Sequence, residues 1–136
     1  GSVGVGRLAR AKPDGYTIGL GIDTAFVHNG AYYALSYDLL NDFEPITPVV
    51  TAATILVARK ELPAANLTEL IAYTKANPDK VNFGSAGAGT ASHITGEYFA
   101  RAAGIKLIHI PYKGTGPALT DLLGGHIPMA FAPIPA

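Results

Sequence analysis

The spacing of apolar positions changes several times along this chain, and each change marks a predicted element. Val3–Ala11 ("VGVGRLARA") reads as a short helix, stopped by the turn signal "KPDG" at Lys12–Gly15. Tyr16–Ile22 ("YTIGLGI") predicts a buried strand, with Tyr, Thr and Ile on a short run. No clean period runs through Asp23–Asp38, which reads as a loop with one helical turn. Phe43–Arg59 alternates and is β-branched, predicting extended backbone. Within it Pro45 and Pro48, lacking an N–H, favour a strand edge or a crossover. In Leu67–Pro78 the residues Leu67, Leu70, Ile71 and Thr74 share a helical face, Asn66 stands at the N-cap and Pro78 stops the helix.

The remaining chain alternates strand and helix. It runs as strand "VNFGS", a glycine loop, helix "TASHITGEYFARAAG", strand "KLIHIP", loop "YKGTG", helix "PALTDLLGG" and strand "IPMAFAP". Such alternation predicts an α/β fold of right-handed βαβ units around a mostly parallel sheet with flanking helices. No internal repeat or low-complexity stretch interrupts it. The proline-marked run Pro45–Val50 is the best boundary candidate, dividing the chain into residues 1–48 and 49–136.

Composition narrows the function classes. With 136 residues, 49% hydrophobic and 15% charged, the chain has the size of one ordinary domain and can bury a core. Ten basic residues balance ten acidic ones, which argues against a nucleic-acid or anionic-membrane surface. The absence of cysteine excludes disulfides, thiolate metal sites and a Cys nucleophile, and leaves the compartment open. No apolar run approaches the ~18–20 residues of a membrane helix. The chain opens at Gly1 on what reads as the inside of an element, so a fragment or a processed chain is expected.

The sharpest chemical signal is "NFGSAGAGTASH", Asn82–His93. In open α/β sheets ligands bind outside the carboxyl ends of the strands. The loop Gly84–Gly89 lies at such an end and feeds a helix starting near Thr90, where the first N–H groups lack intrahelical partners. Glycines let an anion approach those groups, and Ser85, Thr90 and Ser92 can add hydroxyl donors. The N–H groups of Gly87 to Thr90 are therefore expected to converge on a water, carboxylate or sulfate at the helix start. No Lys or Arg lies between Asn82 and Ala100, so the anion would be held by neutral donors, which suits a carboxylate that must later be released. The plain alternative stands beside this: the loop is glycine-rich because the turn is tight, and Thr90 or Ser92 caps the helix. A phosphate loop is disfavoured, because G-x-x-x-x-G-K-[ST] is absent.

Other signals are weaker. "GVGRLA" (Gly4–Ala9) fits G-x-G-x-x-A, with Asp23 at about the right distance for a dinucleotide-binding enzyme using Gly4, Gly6 and Asp23. That fingerprint needs a strand before its first glycine, and close helix packing explains Gly4 and Gly6 as well. His28, His93, His109 and His126 share no H-x-x-x-H spacing and lie in different elements, so no metal site is expected. His109 reads as a satisfied buried histidine. His93, on the first helical turn, hydrogen-bonds locally or fills space. A Ser–His nucleophile would want G-x-S-x-G, and Phe83 stands where its first glycine belongs. Tyr32, Tyr33 and Tyr37 either line a cleft or pack a core.

Five motifs in order, "ARAKPDGYT", "DFEPIT", "NFGSAGAGTASH", "HIPYKGTGPALTDLLGGHI" and "MAFAPIPA", resemble the Bug-type extracytoplasmic solute receptors, the periplasmic binding proteins of tripartite tricarboxylate transporters. The resemblance runs over nearly all of the chain. It implies a periplasmic-binding-protein-like fold of two hinged lobes closing on a small carboxylate, with no catalysis and no cofactor, serving integral membrane transporter subunits. By position, the second-lobe binding loop would be Ser85, Ala86, Gly87, Gly89, Thr90 and Ser92, with His93 beside it. The first lobe would contribute Asp23, Thr24 and Ala25, and the cleft would also be lined by Tyr112, Lys113 and Gly114 and by Ala132 and Pro133. Asp23 departs from the family's usual Thr or Ser and would repel a carboxylate unless it points away or meets a donor on the ligand. Under this resemblance the chain is an interior piece: 1–48 a partial first lobe, 49–136 most of the second, with one lobe incomplete. Such a piece is expected to self-associate.

Overall fold

The described residues of the computed structural model are 2–134. They fall into two compact units, the first ending at Thr51 and the second beginning at Ala52.

In the first unit, helix α1 (Ser2–Ala9) forms where the short helical pattern stands. A π-helical segment, Thr24–His28, runs on into a single α-turn, α2 (Asn29–Tyr32). Phe43 packs edge-on against both Phe26 and Tyr37, at ring-centroid distances of 5.5 and 5.8 Å. Tyr33 and Tyr37 line an open hollow with Phe26, and Tyr32 and Tyr33 are both exposed. The strand expected at Tyr16–Ile22 does not form: the segment is irregular, and Tyr16, Ile18, Leu20 and Ile22 are all exposed. A strand needs a neighbour to take its N–H and C=O groups, and no ladder reaches this segment among the described residues. The long extended run Phe43–Arg59 is also shorter than expected, since only β1 (Thr54–Ala58) joins a ladder.

The second unit adds helix α3 (Leu67–Ala76), strand β2 (Asn82–Ser85), helix α4 (Ala91–Ala103), strand β3 (Ile108–Pro111), helix α5 (Thr115–Leu123) and strand β4 (Met129–Pro133). Local chemistry explains where α3 begins. Asn66 Oδ1 accepts the Glu69 N–H at 3.0 Å while the Glu69 carboxylate reaches back to the Ala65 N–H at 2.8 Å, a reciprocal capping pair. Helix α4 ends on Gly104 in the left-handed region, φ +62°.

The sheet has the order β1-β4-β2-β3, with β4, β2 and β3 parallel and β1 antiparallel on the edge. Both faces are covered. Met129 and Phe131 of β4 join Phe83, Leu70 and Val81 on one side, with Leu56, Tyr73 and Phe99 packed around them. Ala130 points the other way and meets Leu122 and Ile127, beside Val57, Ile110 and Leu119. This period-2 division of β4 is what a doubly covered strand requires.

Central strand β2 is packed from both directions. Phe83 is fully buried, edge-on to Phe131 at 5.6 Å. A Cβ on Gly96 of α4 would overlap the Phe83 ring, and a Cβ on Gly84 would come within 2.5 Å of Ile127 Cδ1. Both glycines set how closely the helical layers sit on β2. Gly96→Ala is therefore expected to cost about 1–3 kcal/mol despite its higher helix propensity. Urea denaturation at neutral pH checks this, and an unchanged or raised midpoint would show that the α4–β2 interface has slack.

Candidate functional site

Strands β2, β3 and β4 end on one edge of the sheet. Because β3 lies on one side of β2 and β4 on the other, the β2–α4–β3 and β3–α5–β4 crossovers run in opposite directions. They place α4 over the Phe83 face and α5 over the Gly84 face. The loops leaving β2 and β3 therefore part above and below the sheet, which opens a crevice between them, the usual ligand position in this architecture. Two backbone bonds stitch its floor: Tyr112 N–H to Ser85 O at 3.1 Å and Gly114 N–H to Ala86 O at 3.0 Å.

The glycine loop is not the open row of donors expected from its sequence. Gly87 N–H donates to Ser85 Oγ at 3.1 Å, Gly89 N–H to His93 Nδ1 at 3.1 Å, and Thr90 N–H to Gly87 O at 3.3 Å. Ala86 N–H is taken by Ser92 Oγ at 3.0 Å. Of the N–H groups from Gly87 to Thr90, only that of Ala88 has no partner among the described residues. Positive φ at Gly87 (+136°) and Gly89 (+76°) folds the loop back on itself, which explains this internal bonding.

The free donors lie at the helix itself. Thr90 is the N-cap residue of α4, yet its hydroxyl makes no cap bond and donates instead to Gly87 O at 2.6 Å. Ser92 is committed to the loop. The N–H groups of Ala91, Ser92 and His93 thus have no acceptor among the described residues. Side-chain capping, the plain reading of Thr90 and Ser92, is not what they do. A helix start with its donors vacant carries about half a positive charge.

Beneath the loop stands a column of three rings. His93 stacks on His109 at 3.9 Å and 21°, and His109 stacks on Phe83 at 5.0 Å and 28°. The β2–β3 register, Phe83 opposite His109, places these side chains on the α4 face. His109 Nε2 lies 2.6 Å from Ser85 Oγ, which also contacts Gly87 O at 3.2 Å. All partners are satisfied when Nε2 donates to Ser85 and Ser85 donates to Gly87 O. Burial, aided by the nearby His93, pushes the His109 pKa down to about 4, so the ring is neutral near pH 7. His93 Nε2 lies 3.8 Å from Glu97 one turn on.

The other expected site residues are placed as follows. Gly114, at φ +121°, is bonded to the loop, and Lys113 beside it is exposed. Ala132 is buried near the end of β4, and Pro133 ends the strand exposed. In the first unit, Thr24 and Ala25 are buried, and Asp23 turns its carboxylate onto the Thr24 N–H at 2.7 Å. Gly4 and Gly6 lie inside α1 rather than in a turn between strand and helix, so the dinucleotide fingerprint is not built. Two pairings escaped sequence reasoning: Ser85 with His109, and the Tyr112 hydroxyl with Asp121 at 2.7 Å. Only the alternation of β3 hinted at the first, by placing His109 on one face.

The sequence profile of the tripartite tricarboxylate transporter family receptor matches residues 1–136. The chain belongs to this receptor family. Among curated relatives, a UPF0065 protein of Bordetella pertussis is 41% identical over 95% of this chain and 40% of its own length. BugT of the same organism is 34% identical over the whole chain and 42% of its own length. The chain thus spans about two fifths of the length of these relatives. Among solved structures, a protein of R. palustris with adipate superposes with a TM-score of 0.87 at 28% identity, covering 98% of this chain and 45% of that one. MatC from Rhodopseudomonas palustris with bound malate gives 0.80 at 28% identity, over 97% and 45%. The periplasmic binding protein BugD gives 0.77 at 36% identity, over 97% and 44%. Periplasmic-binding-protein architecture, expected from the resemblance, is what these superpositions share.

The depressed His109 pKa predicts acid sensitivity in this receptor. A histidine whose folded pKa lies below its unfolded value contributes stability that is present in full above about pH 6.5 and is lost as pH falls toward about 4. Wild-type protein should therefore lose denaturant resistance on acidification more steeply than His109→Phe, which keeps the ring stack. Parallel pH–stability curves for the two would refute the assignment.

Proposed function

We propose that this chain carries the anion-recognising part of a periplasmic solute-binding receptor. The receptor captures a small carboxylate and presents it to the membrane subunits of a tripartite tricarboxylate-type transporter. The single observation that carries the reading is the uncapped start of α4 at the carboxyl edge of the sheet, where the Ala91, Ser92 and His93 N–H groups are free. The first unit is assigned to one lobe and the second to the other, following the predicted division into 1–48 and 49–136.

Carboxylate, rather than phosphate, is the class that suits these donors. Residues 82–100 hold no Lys or Arg, so on this segment the ligand's charge is met by dipoles. Such donors hold a singly charged group and release it again. The adipate and malate found with two similar receptors are small dicarboxylates and make the natural probes. The loops at Ser85–Gly89, Lys113–Gly114 and Ala132–Pro133 frame the same edge. The reading includes no catalysis: the Ser85–His109 pair resembles a nucleophile and its base, but Ser85 is fully buried and its hydroxyl is committed to the loop.

Ala91→Pro tests this directly. Proline is favoured at the first helical position, and Thr90 before it is already extended, at φ −75° and ψ 160°. The substitution removes one N–H and leaves the fold intact. A hydrogen bond to a charged group is worth about 1.5–3 kcal/mol, so malate or adipate affinity of the whole protein should fall roughly tenfold or more at an unchanged Tm. Gly89→Val, strained at φ +76°, should abolish binding. Calorimetry showing equal affinities for wild type and Ala91→Pro would move the site elsewhere.

Self-association belongs to the same proposal. Tyr16, Ile18, Leu20 and Ile22 expose apolar side chains at alternate positions on a chain of zero formal net charge. Light scattering of this chain at micromolar concentration should exceed the monomer mass, and a clean monomer would overturn the expectation.

A further inference from the structure

We propose that the His93 imidazole, as distinct from its backbone N–H, is a positioning group for the glycine loop and makes no ligand contact of its own: its unprotonated Nδ1 pins the Gly89 N–H, and His109 stacks beneath it as a floor. This rests on the reading of the α4 start as the carboxylate site. A backbone N–H can only donate, so the 3.1 Å contact from Gly89 requires a lone pair on Nδ1 and places the ring proton on Nε2, toward Glu97. The ring plane is held by the 3.9 Å stack on His109, and that ring by Ser85 and the fully buried Phe83.

The consequence is conditional geometry. A second proton on His93 turns Nδ1 into a donor facing another donor. Gly89 then loses its partner, in a loop whose positive φ gives it few ways to re-form the same shape. The donors of α4 begin one residue after Thr90, so loop and binding edge move together.

The surroundings offer few other titrating groups. Strands β1, β2 and β4, all packed by α4, carry no charged or titratable side chain, and β3 carries only His109. The glycine loop carries none. On α4 itself Glu97 stands closest, with Tyr98 and Arg101 further along, and the adjoining loop adds Tyr112 and Lys113. The His109 pKa, pushed down to about 4, keeps the floor beneath His93 neutral.

Nitrogen-15 NMR of the whole protein gives the first test and needs no ligand. The Gly89 amide resonance should shift with the same midpoint as the His93 ring nitrogens, with Nδ1 unprotonated at neutral pH. A Gly89 amide indifferent to His93, or a proton on Nδ1 at neutral pH, overturns the proposal. The second test uses malate and adipate as probes. His93→Asn, whose Oδ1 can accept the same N–H without titrating, should bind like wild type at neutral pH and keep its affinity on acidification better than wild type does. His93→Leu should lose roughly tenfold at neutral pH. Equal losses in Asn and Leu variants would mean that the ring touches the ligand, and the proposal falls. If neither probe binds wild-type protein, the carboxylate reading is what fails, and the NMR result still decides the role of His93.

Discussion

Everything at the candidate site depends on how tightly β2 is enclosed. It has a strand on each side and a helical layer on each face, and its four residues leave almost no freedom of side-chain size. Phe83 fills the space under α4 because Gly96 yields it, and Gly84 withdraws so that Ile127 and Ala118 can close from the other face. A strand held this way delivers its carboxyl end at a defined height and angle. The chain that leaves it at Ser85 has five residues in which to turn and enter α4. The reversal at Gly87 and Gly89, and the capture of the Thr90 hydroxyl by the Gly87 carbonyl, follow from that short allowance.

Much of this architecture was legible in the sequence wherever the determining forces are local. Asn66 at the N-cap, the shared face of Leu67, Leu70, Ile71 and Thr74 and the stop at Pro78 marked α3, and the reciprocal Glu69 contact was added by the structure. The strand–helix alternation after Val81 predicted the parallel portion of the sheet, and the bare loop after β2 pointed to the edge where the unbonded α4 donors lie. What could not be read depends on partners distant in the chain. Tyr16–Ile22 has the composition of a strand but finds no ladder among the described residues. Thr90 has the chemistry of a cap, yet a carbonyl brought round by two positive-φ glycines outcompetes the helix for its hydroxyl. His109 was read as merely satisfied; that its partner is Ser85, 24 positions away, follows from β2–β3 register rather than from any pattern.

On the proposed reading the histidine rings stiffen the site without entering it. Ser85, His109 and His93 form a connected support from the core to the loop surface, each bonded or stacked to the next. Supports of this kind cost desolvation when buried and are retained where they hold a backbone in one shape. Here the shape held is a turn with three positive-φ glycines at its borders, Gly87, Gly89 and Gly114, which would otherwise be the most pliable part of the edge.

On the proposed reading, a binding segment made of backbone dipoles, with no cation between Asn82 and Ala100, has a bearing on how salt affects retention. Attraction between full charges reaches about 10 Å and fades as dissolved ions accumulate. Peptide dipoles act over a much shorter range and keep their strength once the ligand is in contact. On the proposed reading, the retention of a carboxylate on α4 varies little between dilute and brackish surroundings. Whatever salt dependence remains on this reading belongs to Lys113, the exposed cation on the neighbouring loop.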